Sequence, residues 1–164
     1  MICSVHESLL LQYDPQLQLM RWQWHGPLSL LRFQMAFERL LLFSRQHKVR
    51  QWLGDVSRMP PIGNDEQAWM SQRWVAQFGR SGIRNLALML PEDMHNQLAM
   101  EHVLDSGCCY TQVNVQFFSD FPAALDWLSN SPNDVQRLEQ EWCPAMLNLL
   151  QADTQTLLSE ESHD

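Results

Sequence analysis

A chain of 164 residues with 45% apolar side chains is long enough for one domain with its own core and a modest appendage. The net charge of −8 is unevenly spread: residues 131–164 hold seven carboxylates against Arg137, whereas the preceding body is near neutral. Neither part offers the basic footprint that phosphate backbones require, which argues against nucleic-acid binding, and no apolar run approaches the length of a membrane span.

In chain order, residues 8–13 and 17–24 predict the two strands of a hairpin joined at Asp14-Pro15-Gln16, where Pro15 fixes a turn-compatible φ and Asp14 caps the turn. The second strand alternates. Leu17, Leu19, Arg21 and Gln23 fall on one side, and Gln18, Met20, Trp22 and Trp24 on the other, so the aromatic side is expected to meet helices. His25-Gly26-Pro27 breaks the strand, and Pro27 suits the first position of a helix running to about residue 46. Leu30, Phe33, Phe37, Leu40 and Leu41 supply its core stripe. Leu28, Leu31, Met35 and Leu42 form a second stripe, with Arg32, Glu38, Arg39 and Arg45 between. A helix this apolar on two sides needs a cover on both, from this chain or from a second copy.

A short strand at residues 49–55, a loop at 56–63 and a tryptophan-bearing helix from residue 64 to 78 follow, and they organise the rest. Asn64 and Gln67 predict a capped start, while Asp65 and Glu66 complement the positive end of the helix dipole. Trp69 and Trp74 stand five apart, so in a regular α-helix only one can face the core squarely. Residues 83–90 are nearly all apolar, as for a central parallel strand covered on both faces. Pro91 opens a helix that stops at Gly107; residues 111–118 alternate as a strand; Asp120 caps a last helix to Asn130. The order predicts an α/β domain over residues 1–130, with a mixed, mostly parallel five-stranded sheet.

The tail, residues 131–164, reads as an acidic helical extension beginning at Ser131-Pro132-Asn133-Asp134, with a kink or restart forced at Pro144. Val135, Leu138 and Trp142 share one face; Met146, Leu147, Leu150, Thr154, Leu157 and Leu158 continue the pattern. It is the first candidate to cover the second stripe of the long helix, and a dimer interface is the competitor.

Over residues 8–130 the element order resembles the STAS (SpoIIAA-like) group, which includes bacterial anti-sigma-factor antagonists and stand-alone STAS/Sec14-like proteins. The hairpin ending Trp22-Gln23-Trp24-His25-Gly26, the strand at 48–55, the helix at 67–74, Leu90-Pro91-Glu92-Asp93 and the segment 117–128 carry the resemblance. It implies a SpoIIAA-like fold and regulation through protein partners. The antagonists start the helix after this strand with a phosphorylatable Ser or Thr; here Gly63-Asn64-Asp65-Glu66 has no hydroxyl, and its two carboxylates would repel an added phosphate.

Residues that often carry chemistry are scattered. His95 and His102 stand seven apart near Glu92 and Glu101, a spacing unlike the three or four that metals favour. His25 reads as a turn residue. Cys108 and Cys109 are adjacent and lack zinc spacing, so Cys3, Cys108, Cys109 and Cys143 are expected to be reduced thiols. Asp55 sits at a strand's carboxyl end, where Glu92, Asp93 and Asp120 would complete an acidic rim, yet each also suits a cap or a solvated loop. The expectation is therefore a non-enzymatic, cytoplasmic interaction module without cofactor or metal. It would bind a protein partner or itself through Ser57, Met59, Ile62, Asn64, Asp65, Trp69 and Trp74. A carrier of small apolar ligands or lipids, with a pocket between helices, is the alternative.

Overall fold

The computed structural model describes residues 1–6, 8–106 and 112–161. Cys108 and Cys109 lie outside the described residues. Strands β1 (Ile2–His6), β2 (Leu9–Asp14), β3 (Leu19–Trp24), β4 (Gln51–Asp55), β5 (Asn85–Met89) and β6 (Asn114–Phe118) form one sheet in the order of the sequence. The β1–β2 and β2–β3 pairs are antiparallel, and the β3–β4, β4–β5 and β5–β6 pairs are parallel. The sheet thus has six strands rather than five. Its extra edge strand was unrecognised because residues 2–6 show no clear alternation of apolar and polar side chains.

Consecutive parallel strands joined by right-handed crossovers place their connecting helices on one face. These are α1 (Leu30–Gln46), the segment of α2 (Asn64–Trp69), a π-turn (Met70–Trp74) and α3 (Val75–Gly79), and α4 (Met94–Ser106). Their apolar sides share one core with Met20, Trp22 and Trp24 of β3, Trp52 of β4 and Leu86 and Leu88 of β5. The alternation in β3 thus points its aromatic side at the helices, as the sequence predicts. Gly54 on β4 lies opposite Trp22, and a Cβ there would stand 2.6 Å from Trp22 Cζ2 and 3.0 Å from Leu88 Cδ2. The indole leaves room only for glycine.

Buried donors on this face are mostly paired. Trp52 Nε1 donates to Ser44 Oγ at 2.8 Å, and Ser44 Oγ donates to the Leu40 carbonyl at 2.8 Å. Trp74 Nε1 donates to the Phe37 carbonyl at 3.1 Å. Trp69 and Trp74 both reach the core, against the expectation for a regular helix. The i→i+5 register of the π-turn swings the fifth residue back toward the same side, so Trp69 packs edge-on to Phe33 at 6.0 Å while Trp74 is buried.

Local capping fixes the helix starts. Helix α1 starts at Leu30 rather than with Pro27 in its first position, because Ser29 caps it and accepts from the Arg32 amide at 3.2 Å; Leu30 itself is left partly exposed. Gly63 is the cap of α2 in place of the predicted Asn64–Gln67 arrangement. Asp120 caps α5 (Phe121–Leu128) as predicted, accepting from the Ala123 amide at 2.8 Å.

On the other face lie α5 and α6 (Pro132–Glu161), over Leu17, Leu19, Leu53, Ala87 and Met89. Helix α6 runs unbroken through Pro144. Proline removes one backbone hydrogen bond, and a helix of 30 residues docked by its first turns absorbs that loss. Because α6 packs on the face opposite α1, it does not cover the second stripe of that helix. Leu31, Met35 and Leu42 remain exposed.

Candidate functional site

The loop between β4 and α2, expected to bind a partner, is tied down onto α4. Asn96 on α4 is buried and binds the loop three times: its Oδ1 accepts from the Ile62 amide at 2.7 Å, and its Nδ2 donates to the Met59 and Pro60 carbonyls at 3.0 Å each. His95 Nε2 adds a contact to the Ile62 carbonyl at 2.8 Å. Met59 and Ile62 are consequently buried in the core, as is Trp74 through its packing on Phe37 and Phe78. Trp69 is half-buried, Asn64 and Asp65 are exposed, and Ser57 lies apart from them at the end of β4. The predicted residues do not converge on one patch. Asn96 was missed because its role depends on a loop 34 or more residues earlier in the chain.

Ser57 belongs to a different place, a cleft of about 530 Å³ at the carboxyl ends of β3 and β4, roofed by α6. Asp55, predicted at a strand tip, is buried there and accepts from the Ser57 amide at 3.0 Å and its hydroxyl at 2.5 Å. Arg21, from the polar side of β3, is 2% exposed and pairs with Glu139 of α6. Its guanidinium also lies 4.2 Å from the Trp142 ring and 4.6 Å from the Phe121 ring. Burial pushes Arg21 below its ordinary pKa, and Glu139 followed by Asp55 pulls it back. Arg58 and Glu92 stand exposed at the mouth, with Cys143 and Leu147 on the α6 side.

The principal buried charges in the cleft are thus engaged with groups of the chain itself: Arg21 with Glu139, and Asp55 with Ser57. Asp93 and Asp120 do not join Asp55 and Glu92 in a rim. Asp93 Oδ1 caps the His95 amide at 2.8 Å, and Asp120 caps α5. Among the described residues no group of three His, Cys, Asp or Glu side chains is placed to hold a metal ion. Between the sheet and its first helical layer, the space bounded by Trp22, Phe37, Trp52, Met70 and Trp74 measures about 30 Å³, room for a single water at most.

Further contacts bind the first half of α6 to the body. Gln12 Nε2 donates to the Leu138 carbonyl at 2.9 Å, and Arg137 bridges Asp14 and Asp134. For the second half, no bond from a described residue to the body is seen at Leu147, Leu150 or Leu158. Leu147 is 60% exposed, Leu150 41% and Leu158 61%, on a stretch where residues 151–156 are all exposed. On α1, Leu31 is 66% exposed and Leu42 54%. Two helices therefore each carry an apolar seam that the described residues leave uncovered.

Comparison with protein-family models, curated proteins and solved structures finds no match. No helix among the described residues is long and apolar enough to cross a membrane.

Proposed function

We propose that this chain is a non-enzymatic interaction or regulatory module that docks protein through the exposed seams of α1 and distal α6. The observation that carries the reading is the pair of leucine stripes left in water by a body whose main core is otherwise closed. Clustered apolar exposure of this kind marks interaction surfaces. Consecutive strand order over residues 8–130, with three crossovers on one face, gives the α/β body on which this reading builds. A phospho-switch at the start of α2 has no support, since the cap is Gly63 and the first turn carries Asp65 and Glu66. The carrier alternative needs an apolar cavity of at least ~300 Å³. The interior offers about 30 Å³, and the larger cleft is lined by five charged residues, which favours docking over carriage.

The test is photo-crosslinking in cells, with benzoylphenylalanine in place of Leu31, Leu147 or Asp65. Discrete adducts at positions 31 and 147 are expected, with none at 65. Adducts only at position 65 would return the site to the loop and α2, and silence at both seams would remove the proposal.

A further inference from the structure

The two bare seams fit each other, which carries the docking reading on to the identity of the partner. On α1 the seam is Leu31, Met35 and Leu42; on α6 it is Leu147, Leu150, Thr154 and Leu158. Each covers the same interval, from 31 to 42 and from 147 to 158, or about 16 Å at the rise of a helix. Each keeps its apolar side chains in one stripe at spacings of three, four or seven, the pattern by which two helices interlock side chains along a shared seam.

Charge selects which seam meets which. Helix α1 carries Arg32, Arg39 and Arg45 against Glu38, and exposed Arg39 and Arg45 make no salt bridge among the described residues. Helix α6 has no Lys or Arg after Arg137, while Asp153 lies exposed in its bare end. Pairing α1 with α1 would set arginines against arginines, and pairing α6 with α6 would set carboxylates against carboxylates. Only α6 on α1 brings opposite charges together. Within one chain this is out of reach, because α6 docks on the opposite face of the sheet from α1.

We infer that the bare end of α6 in one copy lies on the α1 seam of a second copy, reciprocally, in a two-fold symmetric dimer. Such an interface is closed: residue 150 of each copy meets α1 of the other. The inference rests on the docking reading and names its partner.

The experiment uses the full chain. Unlabelled copies carrying benzoylphenylalanine in place of Leu150 are mixed with heavy-isotope copies, irradiated and mapped by mass spectrometry, alongside sedimentation of the unmodified protein. The expected result is a species of twice the chain mass, with crosslinks from position 150 of the light copy to residues 30–46 of the heavy one. Arg39→Glu, at an exposed position, should leave the circular dichroism unchanged and weaken the dimer about tenfold, and adding Asp153→Arg should regain part of that loss. A monomer at ~100 μM, well above the Kd of a stable dimer, overturns the inference. So do crosslinks joining α6 to α6, and so does an Arg39→Glu variant that dimerises normally. If the protein is monomeric while positions 31 and 147 capture a different protein in cells, the second copy falls and the docking reading stands. With neither, both fall.

Discussion

On the face bearing Met20, Trp22, Trp24 and Trp52, the sheet meets α1, the segment from α2 to α3, and α4 through a dry aromatic core with space for no more than one water. On the other face Arg21, Gln23 and Asp55 occupy the equivalent positions of β3 and β4, and α6 is held by charge-assisted bonds above an open cleft. The first face is fixed by volume, so it tolerates little change. The second has its own apolar core around Leu53 and Leu125, but at the tips of β3 and β4 it is also fixed by pairing, so there it does not tolerate a lost partner. The same contrast divides α6, whose first half is pinned by ions and hydrogen bonds and whose second half leaves Leu147, Leu150 and Leu158 exposed.

The largest effect is expected where volume rules. Trp22→Ala should destabilise the fold by about 3–5 kcal/mol in denaturant titration, as for other large aromatic truncations. A loss under ~1 kcal/mol would mean that the first face is less tightly packed than described. Next comes pairing. Glu139→Gln strands the buried Arg21 guanidinium and should cost about 2 kcal/mol, below the ~3–5 for a fully enclosed pair because Glu139 is 36% exposed. Changing Arg21→Met as well should recover most of it, since an uncharged pair leaves no stranded ion. If the double variant is no better than the single, volume rules this face too.

The smallest effect is electrostatic and concerns the start of α6. The hydrogen bond from Arg137 holds the Asp134 carboxyl below its ordinary range. A carboxylate lowered on folding stabilises the native state above its unfolded pKa and loses that contribution as pH falls through the folded value. Asp134→Asn should therefore flatten the acid limb of the stability–pH curve slightly, with no change near neutrality beyond the loss of the pair. An unchanged acid limb would show that the contact contributes nothing.

Much of the first face was legible in the sequence. Period-two alternation in β3 and the apolar run of β5 are local patterns, as are the caps at Asp14 and Asp120 beside the other face, and each maps directly onto local geometry. The second face was less legible because its order comes from long-range partners. Arg21 and Glu139 are separated by 118 positions, and nothing near either one announces the other. Pro144 suggested a break, yet α6 continues through it on the strength of docking at Leu138 and Trp142. Trp69 and Trp74 were assigned by α-helical spacing, and the π-turn altered the rule. The bare seams were half legible: the stripes could be read, but that α6 runs on the face away from α1 could not.

The measurement closest to the core of this reading is amide hydrogen exchange of residues 147–161 in concentrated protein, with and without Leu31→Glu on α1. A bare helix end of this length is only marginally stable in water, and coverage by the second copy slows its exchange. The expected result is protection in the unchanged chain and near-free exchange in the variant, although position 31 lies on the opposite side of the same copy. Identical exchange of these amides in both proteins, whether fast or slow, would contradict the docking of α6 on α1.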